Sequence, residues 1–168
     1  FSMEPDGQIN FVTNLKIYEN AIKGLVANET ARFSVCAATA IAWHDIATLN
    51  LIKMIDHSHD RIVNGCCLAG SSGFASIGRD LKLKIWHGNV QEVYETPHPN
   101  SVKCISVSSD GKTIMTGSYG GTLAAFDMET RKWRSFSRPT AAGISSIAFD
   151  ARHQVFLASS YDGNIYTV

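Results

Sequence analysis

The sequence predicts an all-β protein built from repeats of about forty residues, each with four strands. Three observations carry this expectation. A fixed order of apolar runs and turns recurs four times along the 168 residues. Apolar anchors open the repeats at even spacing. No stretch keeps a helical period for three turns.

The repeats are read most clearly from the C-terminal half. Ser101 opens SVKCISVSSDGKTIMTGSYGGTLAAFD, and Gly143 opens GISSIAFDARHQVFLASSYDGNIYTV. Each has an apolar run, a turn, a second run closing in Gly or Ser, a tight turn and a third run. The order recurs from Asp60 and, more weakly, from Asn20. The anchors are Ile22, Ile62, Val102 and Ile144, spaced by 40, 40 and 42 residues. Large apolar residues close the third runs at Trp43, Trp86, Phe126 and Val168, which lie 21, 24, 24 and 24 residues past their anchors. The shorter first unit places a deletion in its turn, Ala27-Asn28-Glu29-Thr30.

Within the units, Ile144 to Phe149 is mixed in pattern, as suits a strand buried on both faces. Leu81 to Trp86 alternates, with Leu81, Leu83 and Ile85 on one side. Ser72-Gly73, Ser109-Asp110-Gly111 and Asp162-Gly163 mark turns. Fourth runs follow at Leu51 to Ile55, Val90 to Tyr94 and Lys132 to Phe136. Phe1 to Ile9 aligns with Leu157 to Ile165, so the chain is expected to start within a unit, with third and fourth strands at Gln8 to Val12 and Leu15 to Tyr18. The units are expected at 1–19 (partial), 20–58, 59–97, 98–139 and 140–168, the last without a fourth strand.

Composition excludes several classes. Fifteen basic residues balance fifteen acidic ones, and 45% of residues are hydrophobic. A disordered segment would carry more net charge and fewer apolar residues. A protein that grips phosphates would show a basic excess. No apolar run approaches the roughly 18 residues of a membrane helix, and Phe1 to Gly7 lacks the apolar core of a signal peptide. Cys36, Cys66, Cys67 and Cys104 form no CxxC pair and read as reduced thiols of a cytoplasmic, or else nuclear, protein.

The period and the order of motifs together resemble WD40 repeats. The matching residues are Ser108-Ser109-Asp110-Gly111-Lys112, then Met115-Thr116-Gly117-Ser118, and Asp80 through Trp86-His87. Phe126-Asp127 stands where the family has Trp-Asp. Trp43-His44 and Trp86-His87 keep the Trp and replace the Asp. His98 stands where the family places a Gly-His histidine, with Pro97 for the Gly. The resemblance implies a β-propeller of four-stranded antiparallel blades around a channel. The chain would supply about four blades of an incomplete ring. The remaining blades would come from the same longer chain, of which this is the C-terminal part, or from a second copy.

The resemblance also implies a buried His-Ser-Asp-Trp tetrad made by His59 or His57 with Ser76, Asp80 and Trp86. Similar residues form catalytic triads, but a triad also needs an exposed nucleophile and an oxyanion hole. The expected role is structural, because a buried imidazole and carboxylate need partners. The unit at His98 has Gly120 and Phe126 in place of Asp and Trp, so its tetrad is expected to be broken. The units near Tyr18 and Thr140 lack the His. His57, His59, Cys66 and Cys67 are ligand types that suit zinc; adjacent cysteines point to opposite faces, so no metal and no cofactor are expected. Lys82, Lys84, Arg131, Lys132 and Arg134 are expected on solvated outer strands.

In this family the residue before the Asp of the second turn faces one rim. That implies a partner surface of Arg79, Tyr119 and Tyr161, joined by Arg61, Asn100 and Ser101 where first strands begin. Arg and Tyr are frequent binding hot spots. The expected function is a non-catalytic scaffold that binds a peptide or protein on the rim. The alternative is a C-terminal targeting domain of a larger enzyme or trafficking protein of the BEACH type.

Overall fold

The computed structural model describes residues 2–3, 7, 9–10, 14–28, 31–36, 38–70, 73–88 and 90–168, with backbone alone at 2–3, 9–10 and 32–36. A short antiparallel hairpin comes first, β1 (Ser2–Met3) with β2 (Ile9–Asn10). Residues 15–18, expected as a fourth strand, carry no strand. Four separate sheets follow, each a meander in chain order. The first holds β3 (Ile22–Ala27), β4 (Ala31–Cys36), β5 (Ile41–Asp45) and β6 (Leu51–Ile55). The second holds β7 (Val63–Ala69), β8 (Gly73–Gly78), β9 (Lys82–His87) and β10 (Val90–Glu95). The third holds β11 (Val102–Val107), β12 (Thr113–Ser118), β13 (Leu123–Asp127) and β14 (Lys132–Ser137). The last has three strands, β15 (Ile144–Asp150), β16 (Val155–Ser160) and β17 (Ile165–Thr167). All pairings are antiparallel. There is no helix among the described residues, hence none long and apolar enough to cross a membrane.

The sheets are propeller blades. First strands of successive sheets pack together, β3 on β7, β7 on β11 and β11 on β15. First strands are therefore innermost, and the fourth strands form an exposed outer edge. Cores lie between the sheets. One joins Ile77, Leu83 and Ile85 of the second blade to Val102, Ile114 and Phe126 of the third. Another joins Met115 and Leu123 to Ile144, Ile147 and Phe156. Trp43 and Trp86 meet edge-on, 5.8 Å apart, between the first two blades. One blade cannot bury both faces of its own sheet, so neighbours stack.

Each first strand opens with a register shift, at Ile22/Gly24, Val63/Gly65, Val102/Cys104 and Ile144/Ser146. A β-bulge there twists the strand and re-aims one side chain. This repeated bulge corrects the second anchor. Val63 is the residue buried at the place of Val102 and Ile144, while Ile62 precedes the strand and is only half-buried. The third-run residues Trp43, Trp86, Phe126 and Val168 do occupy one place, paired with Phe33, Phe74, Ile114 and Phe156.

Three further expectations are corrected. Leu81 lies in the turn before β9 with φ 64°, the place that Gly121 and Gly163 take in the next blades. Leu83, Lys84, Ile85 and Trp86 are all buried, so β9 does not alternate; it is covered on both faces. Gly70, not Gly73, supplies the positive φ of the β7–β8 turn, while Gly73 belongs to β8 and Ser72 lies outside the described residues. Finally, β15 is buried on one face only, with Ser146 and Ala148 exposed, because no sheet packs on that side among the described residues.

Candidate functional site: a buried hydrogen-bond spine and the rim above it

The spine starts where β9 leaves the tight turn after β8. Asp80 sits in that turn, and its carboxylate bridges the loop that enters β7. His59 Nδ1 lies 2.9 Å from Asp80 Oδ2, and His59 Nε2 lies 2.8 Å from Ser76 Oγ. Trp86 Nε1 donates to the same Ser76 Oγ at 2.9 Å. His59 and Ser76 are fully buried. The structure thus joins His59, Ser76, Asp80 and Trp86. His57 stays exposed at φ 56°, against Thr39 Oγ1 at 3.4 Å. Burial pushes the Asp80 carboxyl up, but His59 and the backbone N–H groups of Asp60 and Lys82 outweigh it and hold it below the ordinary range.

This chemistry locks a loop to a strand. Ser76 Oγ is sealed beneath His59 and Trp86 and cannot meet a substrate. Gly78 belongs to the same unit. A Cβ there would lie 2.9 Å from the Ile62 carbonyl and 3.1 Å from both Asp80 Oδ1 and His59 Nδ1. Only a residue without a side chain lets the loop approach this closely.

The third blade keeps its histidine wired by other means. His98 Nδ1 is 2.7 Å from Thr122 Oγ1, and its Nε2 is 2.9 Å from Thr116 Oγ1. Thr122 also meets Ser118 Oγ at 2.6 Å. The Thr122 hydroxyl takes the part of the carboxylate that Gly120 cannot supply, and Thr116, at the place of Ser76, donates to the Ala124 carbonyl where no indole reaches it. Burial lowers the His98 pKa to about 4, so the ring is neutral near pH 7. The signal for this was Thr116, forty residues after Ser76; Thr122 carried none, because it stands two places beyond the missing Asp. In the fourth blade, Thr140 Oγ1 donates to Asp162 Oδ2 at 2.5 Å in place of the histidine.

The basic residues are not all solvated. Lys84 is buried in β9, and its Nζ donates to the Ser58 carbonyl at 2.7 Å. Arg134 pairs with the buried carboxylate of Asp127. Lys82 pairs with Asp60 at 2.7 Å. The fold needs these charges locally, so they do not form a free basic patch.

No group of three His, Cys, Asp or Glu side chains is placed to hold a metal among the described residues. Cys66, Cys67 and Cys104 are free thiols; Cys36 lies outside the described side chains. Burial raises Cys66 and Cys104 to about 12 and Cys67 well above its ordinary value, which opposes the thiolate that zinc would require.

Above the spine lies the rim where second-to-third-strand turns meet the starts of first strands. Arg79 N donates to Ile62 O, Tyr119 N to Ser101 O and Tyr161 N to Gly143 O, at 2.9, 3.0 and 3.0 Å. These backbone bonds fix three turns at one edge. Tyr119 and Tyr161, from neighbouring blades, stack at 6.4 Å with planes 13° apart. They are 37% and 60% exposed. Arg61, Arg79 and Asn100 are exposed and Ser101 half-buried, with the Asn100 carboxamide oxygen accepting the Ser101 N–H.

The channel wall lies just inside this rim. A cavity of about 240 Å³ is lined by equivalent triplets from the four first strands, beginning at Lys23, Asn64, Lys103 and Ser145. Those four are the residues at the bulges. Sequence reading missed Lys23 and Lys103, since a bulge is not visible in a pattern of apolar residues.

Comparison with known proteins agrees with this architecture. The profile of the "WD domain, G-beta repeat" family matches residues 90–127 and 131–166. The first of these segments runs from β10 through β13, so a sequence repeat straddles two blades. The chain is 24% identical over 110 residues to telomerase protein component 1 of Mus musculus, covering 64% of this chain and 4% of that protein. It is 24% identical over 162 residues to the periodic tryptophan protein 2 homolog of Dictyostelium discoideum, covering 91% of this chain and 18% of that one. The chain therefore spans a small part of these relatives. Among solved structures, the computationally designed Ika4 protein superimposes with TM-score 0.81 at 18% identity, over 96% of this chain and 98% of that one. The Cps50 (Swd1) β-propeller domain of Myceliophteria thermophila superimposes with TM-score 0.78 at 18% identity, over 93% and 54%.

Proposed function

We propose that this chain, a run of WD40 repeats folded as propeller blades, is a non-catalytic interaction scaffold that holds a peptide or protein partner on its rim. The observation that carries the reading is the stacked, exposed Tyr119–Tyr161 pair, set beside Arg79 on turns pinned by backbone hydrogen bonds. Rigid aromatic side chains offer a large contact area at low entropic cost, and a fixed scaffold keeps them ready. Arg61, Asn100 and Ser101 extend the same surface. The spine of His59, Ser76, Asp80 and Trp86 serves it from below by holding the loops in place.

The open outer faces of the first and last blades are to be covered by further blades, from a longer polypeptide or from a second copy. The small share of each relative that the chain spans favours the longer polypeptide. The same share supports a second reading, a targeting domain within a larger enzyme or trafficking protein, for which a BEACH-type protein is one candidate. A cytoplasmic setting fits the free thiols; a nuclear one fits them equally.

The test uses peptides selected from a displayed library against the chain. Arg79→Ala and Tyr119→Ala each weaken binding by about three- to thirtyfold, as hot-spot truncations do, and leave the thermal midpoint unchanged. Unchanged binding with a lowered midpoint would refute the assignment.

A further inference from the structure

We infer that the partner presents an acidic peptide segment, with carboxylates that enter the channel mouth between Lys23 and Lys103. This rests on the rim reading and names the chemistry of its occupant. The two lysines project from bulges on β3 and β11 and line one cavity of about 240 Å³, with no Asp or Glu among its described lining residues. Neither forms an ion pair among the described residues. Lys103 Nζ lies 5.7 Å from the centroid of the Tyr119 ring, which ties the cavity to the stacked tyrosines at the rim.

The surrounding charges have the same sign. Arg61 and Arg79 are exposed on the adjoining turns and form no ion pair among the described residues. The carboxylates of this edge are engaged elsewhere. Asp60 pairs with Lys82, Asp80 with His59, and Asp162 accepts from Thr140 and Tyr166. Asp56, exposed at the start of the loop after β6, and Glu95, exposed at the end of the outer strand β10, are the exceptions. A chain of zero net charge thus concentrates uncompensated cations at one mouth. Such a patch, walled by low-dielectric strands, focuses its field on an incoming anion.

The size of the site selects a peptide. The cavity has room for a side chain or two and not for a folded domain. A nucleic acid is held by a track of many phosphate contacts and a general basic excess, and the chain has neither. The tyrosine pair, outside the cavity, is placed to receive an apolar or aromatic residue next to the acidic ones.

Fluorescence anisotropy on the 168-residue chain tests this with three labelled probes: a Glu-rich peptide with a single Tyr, its Lys-rich counterpart and oligo(dT). The Glu-rich peptide binds best, and its affinity falls as salt rises. Lys103→Glu and Lys23→Glu each weaken it about tenfold, as for a reversed charge at a complementary interface. Lys132→Glu, on the outer strand β14, does not. Thermal melts of Lys103→Glu and Lys23→Glu confirm that the fold is kept. Binding of the Glu-rich peptide that ignores both reversals, or tighter binding of either other probe, overturns the proposal. If a tighter probe still depends on Tyr119, the rim reading survives and the acidic partner does not. If no probe binds and selected peptides also ignore Tyr119→Ala, both fall.

Discussion

Single hydrogen bonds decide how each loop is held, and His98 shows it most sharply. Its ring is neutral in the folded state because burial lowers its pKa to about 4. In the unfolded chain it titrates near 6.5. Between those values the unfolded state binds a proton that the folded state refuses, so stability must fall as pH falls. The loss begins near pH 6.5 and levels off below about 4, reaching roughly 2.5 kcal/mol by pH 4.5. Urea denaturation at pH 7.5 and 4.5 measures it. His98→Gln lowers stability at both pH values but removes this part of the slope; an unchanged slope would show that another group titrates. The residue scale is also where the sequence was least complete. Ser76, Asp80 and Trp86 could be named because they belong to a recognisable pattern, while the histidine stayed open between His57 and His59 because the two stand only two places apart. Thr122 could not, since a hydroxyl can replace a carboxylate partner only if the turn carries it within reach, and that is a matter of backbone path. Lys84 was assigned to solvent for a similar reason: one lysine in an apolar strand looks outward until a carbonyl, here that of Ser58, is found to receive it.

At the scale of strands and sheets, legibility was better. The fourth strands begin at Leu51, Val90 and Lys132 as read, because turn residues bracket them. The anchor at Ile62 was misread by one position, and the cause is instructive. Ile62-Val63 offers two adjacent apolar residues, and only the bulge at Val63/Gly65 says which one enters the core. Bulges also govern how near two blades come. Gly117, on β12, faces Ile144 of the next blade, where a Cβ would lie 2.7 Å from Ile144 Cγ2 and 2.9 Å from Cys104 Sγ. Gly117→Ala therefore forces the third and fourth blades apart. The expected cost is about 1–3 kcal/mol, as for overpacking elsewhere, read from the urea midpoint. A change below about 0.5 kcal/mol, the scale of an ordinary surface substitution, would mean that the sheets slide freely past each other.

For the molecule as a whole, the repeat makes equivalent positions comparable inside and at the ends of the stack. Met115 and Leu123 of the third blade are buried beneath Ile144 and Ile147 of the fourth. Their counterparts one repeat later, Leu157 and Ile165, are exposed, with Ile165 at 72%. They border a hollow of about 200 Å³ with Ser146, Ala148 and Ser159. At the opposite end Ile22 and Leu25 are exposed in β3, at the places where Ile144 and Ile147 are buried in β15. The two ends are thus the two halves of one kind of contact, the half that receives and the half that inserts. A difference in energetic cost follows. Leu123→Ala leaves a cavity and costs about 2–5 kcal/mol. Ile165→Ala, made where the side chain is largely exposed, stays within about 0.5 kcal/mol. In a longer polypeptide that supplies the adjoining blade, the cost of Ile165→Ala rises toward that of Leu123→Ala, since burial and not residue type sets it. Urea denaturation of both variants in both polypeptides makes the comparison. Equal costs already in the 168-residue chain, together with a concentration-dependent midpoint, would instead assign the covering blade to a second copy.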